Sequence, residues 1–204
     1  MHSLLPKLNL FDKRIAIITV VSTLLLTVDA YQRLTPFKEI DRTILYLVLP
    51  VIVTILIFRE SPREYGFTLG DWRAGLLFTL AGILLMTPVI YLLGRGDSSM
   101  RSYYEGFTAY LPWTTFLELF GWEFMFRGWI LFGYARKFGP EAIWLQAVPF
   151  ALAHIGKPQI ETFSTIFGGF AFGWIAWRTK SFLYPFFIHW YIYTLVVLVA
   201  TYAN

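Results

Sequence analysis

The chain has 204 residues, of which 57% are hydrophobic and 15% charged, with a net charge of +4. Soluble domains carry about 25% charged residues, so this deficit, with a mean hydropathy of +0.58, excludes an ordinary water-soluble domain and indicates a membrane protein. The absence of Cys excludes disulfides and Cys-ligated zinc or iron–sulfur sites, and no basic run marks a nucleic-acid surface.

A helix that crosses a bilayer needs about 20 mostly apolar residues. Segments of this character run over 13–32, 42–58, 74–94, 112–134, 142–156, 163–178 and 182–203. They predict an all-α, polytopic membrane helix bundle of about seven hydrophobic helices. In the first segment, Lys13 and Arg14 precede an apolar run, and Val28-Asp29-Ala30 loosely resembles a cleavage site. A retained first helix and a cleaved signal peptide are the two readings of that pattern. Pro50 and Pro88 fall inside apolar segments, where membrane helices tolerate kinks.

Between the second and third segments, "RESPREYGFTLGDWRAG" (59–75) mixes charges with Pro62, Gly66 and Gly70, which predicts an interfacial turn or short amphipathic helix. The polar stretch "GRGDSSMRSYYEG" (94–106) then separates three N-terminal helices from four C-terminal ones. No linker or repeat breaks the chain, so residues 1–204 read as a single membrane domain, with N-terminal helices over 1–111 and the chemistry in a four-helix core over 112–204. With a cytoplasmic N-terminus, Lys7, Lys13, Arg14, Arg59, Arg63, Arg73, Arg136, Lys137, Arg178 and Lys180 fall inside. Arg33, Lys38, Arg42, Arg95, Arg101 and Lys157 fall outside. That bias favours N-inside and C-outside.

The fourth segment holds "LELFGWEFMFRGWILFGYARKFG" (117–139), with Glu118, Glu123 and Arg127 at membrane depth, where ionisable groups are costly. Glu123 and Arg127 are spaced i, i+4 and can pair on one face. Such pairing favours the charged carboxylate. Glu118 points about 140° away from Glu123, so the two carboxylates need not share a pocket. The plain alternative is a Glu–Arg bridge that pins helices together.

His2 lies in the N-terminal tail, whereas His154 and His189 fall near the ends of two later segments, in "PFALAHIGKP" and "PFFIHWYIY". Pro149 is expected to bend the first of these helices beside the polar site. A carboxylate with an imidazole can take a proton from water and return it to a leaving group. A second imidazole, or the Tyr193 hydroxyl one turn after His189, could donate to an oxyanion. Glu with two His is also a zinc ligand set, but HExxH is missing and Arg127 beside a dication is unfavourable, so zinc is the minor alternative and no metal or cofactor the main expectation. Lys157 and Glu161, four residues apart, suit a bridge at a helix start, with substrate binding the alternative. In the sixth segment, "GFAFG" (169–173) permits close helix approach.

The residues "EFMFRG" (123–128), "FALAH" (150–154) and "HWYIY" (189–193) resemble, in order, the EExxxR, FxxxH and HxxxN/B motifs of the CPBP (ABI) family. That family comprises CaaX prenyl proteases and bacteriocin-processing enzymes of the type II CaaX endopeptidase kind, and the resemblance covers roughly 112–194. "HIGKPQIETFSTIFGGFAFGWIAWRTKS" (154–181) also looks like a bacterial branch, which implies a multi-pass protein of a bacterial cell membrane. The resemblance implies an intramembrane endopeptidase that acts on peptide or protein substrates, prenylated or membrane-associated ones among them. Carried over by position, Arg127 is the motif arginine, His154 the first histidine and His189 the second. Trp122 replaces the first Glu of the double, which leaves Glu123, or Glu118 one turn before Trp122, for the base role, or else hydrolysis is lost. Tyr193 stands where Asn or Asp is usual. A non-catalytic immunity or scaffold protein on the same helices is the competing reading. A proton-coupled transporter is a third, for which inverted repeats are missing.

Overall fold

The computed structural model describes residues 12–203. His2 and Lys7 lie outside the described residues. Helix α1 (Lys13–Tyr31) starts where the Asp12 carboxylate accepts from the Arg14 and Ile15 amides, the usual way an orphan first-turn donor is satisfied. Helix α2 (Lys38–Phe58) follows a turn in which the Asp41 carboxylate accepts from the Leu34 amide and from the Thr35 amide and hydroxyl. The loop at 59–71 holds the short helical turn Pro62–Tyr65, closed by reciprocal capping between Ser61 and Glu64. This matches the expected turn.

Helix α3 (Trp72–Gly94) is capped by Asp71. The short α4 (Ser98–Tyr104), capped by Asp97, lies in the polar stretch that the sequence reads only as a separator. Helix α5 runs over 113–138, α6 spans Ala142–Leu152, α7 Gln159–Thr179 and α8 Leu183–Tyr202. The sixth segment is thus longer at its start than the apolar run 163–178. The fifth is shorter, because the helix stops at Leu152 and His154 sits in the turn that follows. Among the described residues, α1, α2, α3 and α8 are long and apolar enough to cross a membrane. Their outward faces carry large apolar side chains such as Leu24, Leu56, Leu84 and Leu198, a surface that lipid covers at no cost and water does not. The protein is an all-α membrane bundle.

Helix α5 runs through the centre of the bundle. Every residue from 121 to 133 is buried. Its middle part, Phe124–Ile130, is wound wide, so that the Leu131 amide reaches back to the Phe126 carbonyl. Such a widened stretch moves side chains off the regular 100° spacing and is frequent at functional sites. Around α5 the helices approach through small residues. A Cβ on Gly173 would meet Gln146 Nε2 at 2.4 Å, and one on Gly169 would meet Ala147 and Phe150 near 3 Å. The paired glycines therefore let α7 lie directly on α6, the close approach expected of that spacing. The Gln146 amide secures it by donating to the Ile143 and Gly169 carbonyls. Helix α3 packs along α8 in the same manner, with Gly75 against the Tyr184 ring and Gly82 against Ile188.

Ion pairs close both ends of the bundle. At one end Glu60 binds Arg14 at 2.5 Å and Arg136 at 2.6 Å, and Glu64 binds Arg136 at 3.0 Å. Burial alone would raise the Glu60 carboxyl, but hydrogen bonds from Arg14, Tyr65 and Arg136 outweigh it and hold the carboxyl down at about 2. At the other end Arg42 binds Asp29 at 3.2 Å and also pairs with Glu118, while its guanidinium lies over the Trp122 ring.

Candidate active site

Helix α5 delivers Glu123 and Arg127 to the dry centre, and α8 delivers His189 to them. Glu123 Oε1 accepts from Arg127 Nη1 at 2.9 Å and faces His189 Nδ1 at 2.6 Å. A carboxylate oxygen accepts, so Nδ1 of His189 carries the hydrogen and Nε2 is left for other partners. Glu123 and Arg127 are 0% exposed and His189 is 8% exposed. Charges this far from water persist only when paired, and the pairing expected from the i, i+4 spacing is present. The bridge itself joins two residues of one helix. The link to a second helix runs through His189.

The arginine has further support from ring faces. Its guanidinium carbon lies 3.8 Å from the Phe150 ring centroid and 5.1 Å from that of Phe172. Aromatic faces stabilise a desolvated cation where hydrogen-bond acceptors are few. Arg127 Nε and Nη2 and Glu123 Oε2 are buried with no hydrogen-bond partner among the described residues. Phe150 belongs to the "FALAH" stretch, but the sequence shows only an apolar residue there. Its place beneath Arg127 depends on how α6 docks.

His154 reaches the same region from the turn after α6. Its Nδ1 lies 2.7 Å from the Phe150 carbonyl. A carbonyl can only accept, so Nδ1 donates and Nε2 keeps its lone pair in the neutral ring. The Thr162 hydroxyl donates to the His154 carbonyl at 2.8 Å and fixes the turn from α7. The two imidazole rings stand 6.4 Å apart, nearly parallel at 29°. Pro149 lies inside α6 as expected, and α6 ends three residues later.

Trp122 packs edge-on against the His154 ring, at 5.6 Å and 85°, with Arg42 on its face. The residue at the departed motif position is therefore a wall of the site. Glu118 is drawn away to Arg42, which Asp29 also binds, so the structure does not bring Glu118 and Glu123 together. Tyr193 lies one turn beyond His189, its ring edge-on to Tyr104 at 5.9 Å. Asp29 and Arg42, which complete the Glu118 cluster, have no sequence signal, because their partners are far away in the chain.

His154, His189 and Tyr193 line a cavity of about 590 Å³ between α3, α7 and α8. Its walls are otherwise mostly apolar, with Leu85, Val89, Phe167 and Ile192 among them. Since α3 is tied along α8, the cleft lies on the side where α3 faces α7. Among the described residues no group of three or more His, Asp or Glu side chains is placed to hold a metal ion. Glu123 and His189 face one another through Oε1 and Nδ1, and His154 Nδ1 faces a backbone carbonyl.

Residues 104–195 match the model of the family described as type II CAAX prenyl endopeptidase Rce1-like. The match includes Glu123, Arg127, His154, His189 and Tyr193. No curated protein and no solved structure matches the chain.

Proposed function

We propose that this membrane protein, through the region that matches the Rce1-like family, is an intramembrane endopeptidase that hydrolyses peptide bonds with water activated by Glu123 and His154. The observation that carries the reading is the buried Glu123–Arg127–His189 set beside an apolar cleft lined by both histidines. Arg127 pairs with the carboxylate through Oε1. With Oε1 engaged by Arg127 and His189, Oε2 is the oxygen left to take one proton from water. His154 Nε2 accepts a hydrogen bond from the water's other O–H, which stays on the oxygen, and orients the attack. The water oxygen bonds to the scissile carbonyl carbon. The Tyr193 hydroxyl, and His189 when its Nε2 also carries a proton, are the donors for the resulting oxyanion. Glu123 then returns its proton to the departing amine as the C–N bond breaks. The scheme uses no metal.

The cleft suits a substrate with a long apolar group, such as a prenylated or membrane-associated peptide, which would enter from the bilayer between α3 and α7. CaaX-type protein maturation is the narrower form of this proposal. The Lys/Arg bias supports a multi-pass arrangement with a cytoplasmic N-terminus. The test is incubation of the purified chain in liposomes with a prenylated CaaX peptide and a mixed membrane-peptide library, with products identified by mass. Discrete cleavage products are expected. A folded chain that cuts nothing in either set would contradict the reading.

A second reading has its own support. Glu123 is fully buried and is not among the cavity-lining residues, and Trp122 and Tyr193 depart from the family motifs. A non-catalytic scaffold or immunity protein would use the same ionic set only to hold α5 to α8. Loss of packing, without loss of any hydrolysis, on Glu123→Gln substitution is its signature.

A further inference from the structure

The cavity holds one polar cluster that the proposed chemistry does not use. Glu161, in the first turn of α7, lines it beside His154, Tyr104 and Tyr193. Glu161 Oε1 accepts from Lys157 Nζ at 2.6 Å, and Glu161 Oε2 accepts from the Tyr104 hydroxyl at 2.5 Å. Lys157 Nζ also stands 5.7 Å from the centroid of the Tyr193 ring. Lysine and histidine share one turn, since the Lys157 amide donates to the His154 carbonyl. A cation is thus held at the polar edge of the cleft, within a few residues of the imidazole assigned to water.

We propose that Lys157 binds a carboxylate of the substrate in exchange for Glu161 and so selects which peptides the site accepts. The inference rests on the endopeptidase reading. Three features carry it. The Lys157 and Glu161 side chains are 21% and 18% exposed, and pairs of this kind contribute little net stability, so exchanging the partner costs little. Glu161 retains the Tyr104 hydroxyl after the exchange and is not left without a hydrogen bond. Arg42, at the same end of the bundle, is already held by Asp29 and Glu118, so Lys157 is the better placed to take a new anion. The walls beyond it are apolar, which leaves this edge as the place for a charged part of the substrate. A C-terminal carboxylate and an acidic side chain are the two sources of that chemistry.

Binding to the chain in lipid nanodiscs, read by fluorescence anisotropy, tests the assignment without requiring cleavage. The probes are a labelled prenylated peptide with a free C-terminal carboxylate, its C-terminal amide, and the amide carrying Asp as its last residue. The wild-type chain is expected to bind the free acid on the order of tenfold more tightly than the amide, the usual scale of a hydrogen bond to a charged group. Lys157→Met should bring the acid down to the amide's affinity while leaving amide binding unchanged, which also reports that the variant is folded. Glu161→Gln should tighten binding of the acid. Recovery of affinity by the Asp amide assigns the carboxylate to a side chain, and no recovery assigns it to the C-terminus. Equal binding of acid and amide by the wild type, absence of binding, or a preference that survives Lys157→Met overturns the proposal. A chain that shows the preference but cuts nothing would contradict the endopeptidase reading alone. A chain that cuts peptides but binds acid and amide alike would contradict the Lys157 assignment alone.

Discussion

Glu60 lies at one end of the bundle, where Arg14 and Arg136 reach its carboxylate from side chains that are 28% and 33% exposed. Glu123 meets Arg127 at the centre, with both side chains at 0%. The first site has two arginines and a tyrosine for one carboxylate, with water at hand. The second has one arginine contact, one imidazole and two ring faces. An ion pair near water is a fastening that other contacts can replace. A fully buried pair has few substitute partners, so its cost is accepted where a charge is required. On the proposed reading, the chemistry belongs to Glu123, while Glu60 is one of several fastenings at the end of the bundle.

Removing the charge at the centre should have the largest effect. Glu123→Gln is expected to lower peptide cleavage by about 10²–10⁴-fold, the range for a general base, while the amide oxygen keeps the hydrogen bonds from Arg127 and His189. Cleavage rates on the liposome-reconstituted variant check it. Arg127→Met leaves a carboxylate without its cation, and thermal unfolding in detergent should show a loss of about 3–5 kcal/mol. A far smaller loss would mean that His189 alone suffices for Glu123.

The α6–α7 contact positions the turn that carries His154. Gly169→Leu would force a side chain into Ala147 and Phe150 and is expected to cost about 1–3 kcal/mol. Because Phe150 supplies both the carbonyl for His154 and the ring beneath Arg127, activity should fall as well, which paired stability and cleavage assays would reveal. The smallest effect is expected at the rim. Glu60→Gln should cost about 1 kcal/mol and leave cleavage rates unchanged. That cost is less than the lowered carboxyl alone implies, because the amide oxygen still accepts from Arg14 and Arg136 and water screens those part-exposed charges. The Glu60 carboxyl is lowered from 4.5 to about 2. Its contribution to stability is therefore complete above about pH 4.5 and is lost as pH falls towards 2. Unfolding followed between those limits should be less acid-sensitive in Glu60→Gln than in the wild type.

Most of the helices were legible because long apolar runs leave few alternatives to a helix in lipid. The short α4 was not, since its seven residues include three Ser and an Arg and it depends on the Asp97 cap and on docking through Met100 and Tyr104. The end of α6 at Leu152 was also missed, because the apolar run continues past it. At the site, the Glu123–Arg127 pair followed from i, i+4 spacing. The divergence of Glu118 from Glu123 followed from the helical angle. The contact of His189 with Glu123, the rings around Arg127 and the capture of Glu118 by Arg42 join residues distant in the chain. No local pattern encodes them, and the widened turn at 124–130 further shifts which residues of α5 share a face.

The central claim is that the buried Glu123 carboxylate drives hydrolysis. The most direct test is cleavage of one prenylated peptide by wild type and Glu123→Gln in the same liposomes, with folding verified for both by circular dichroism. The account predicts product from the wild type and almost none from a folded Glu123→Gln. Equal product from both would contradict it and remove Glu123 as the base.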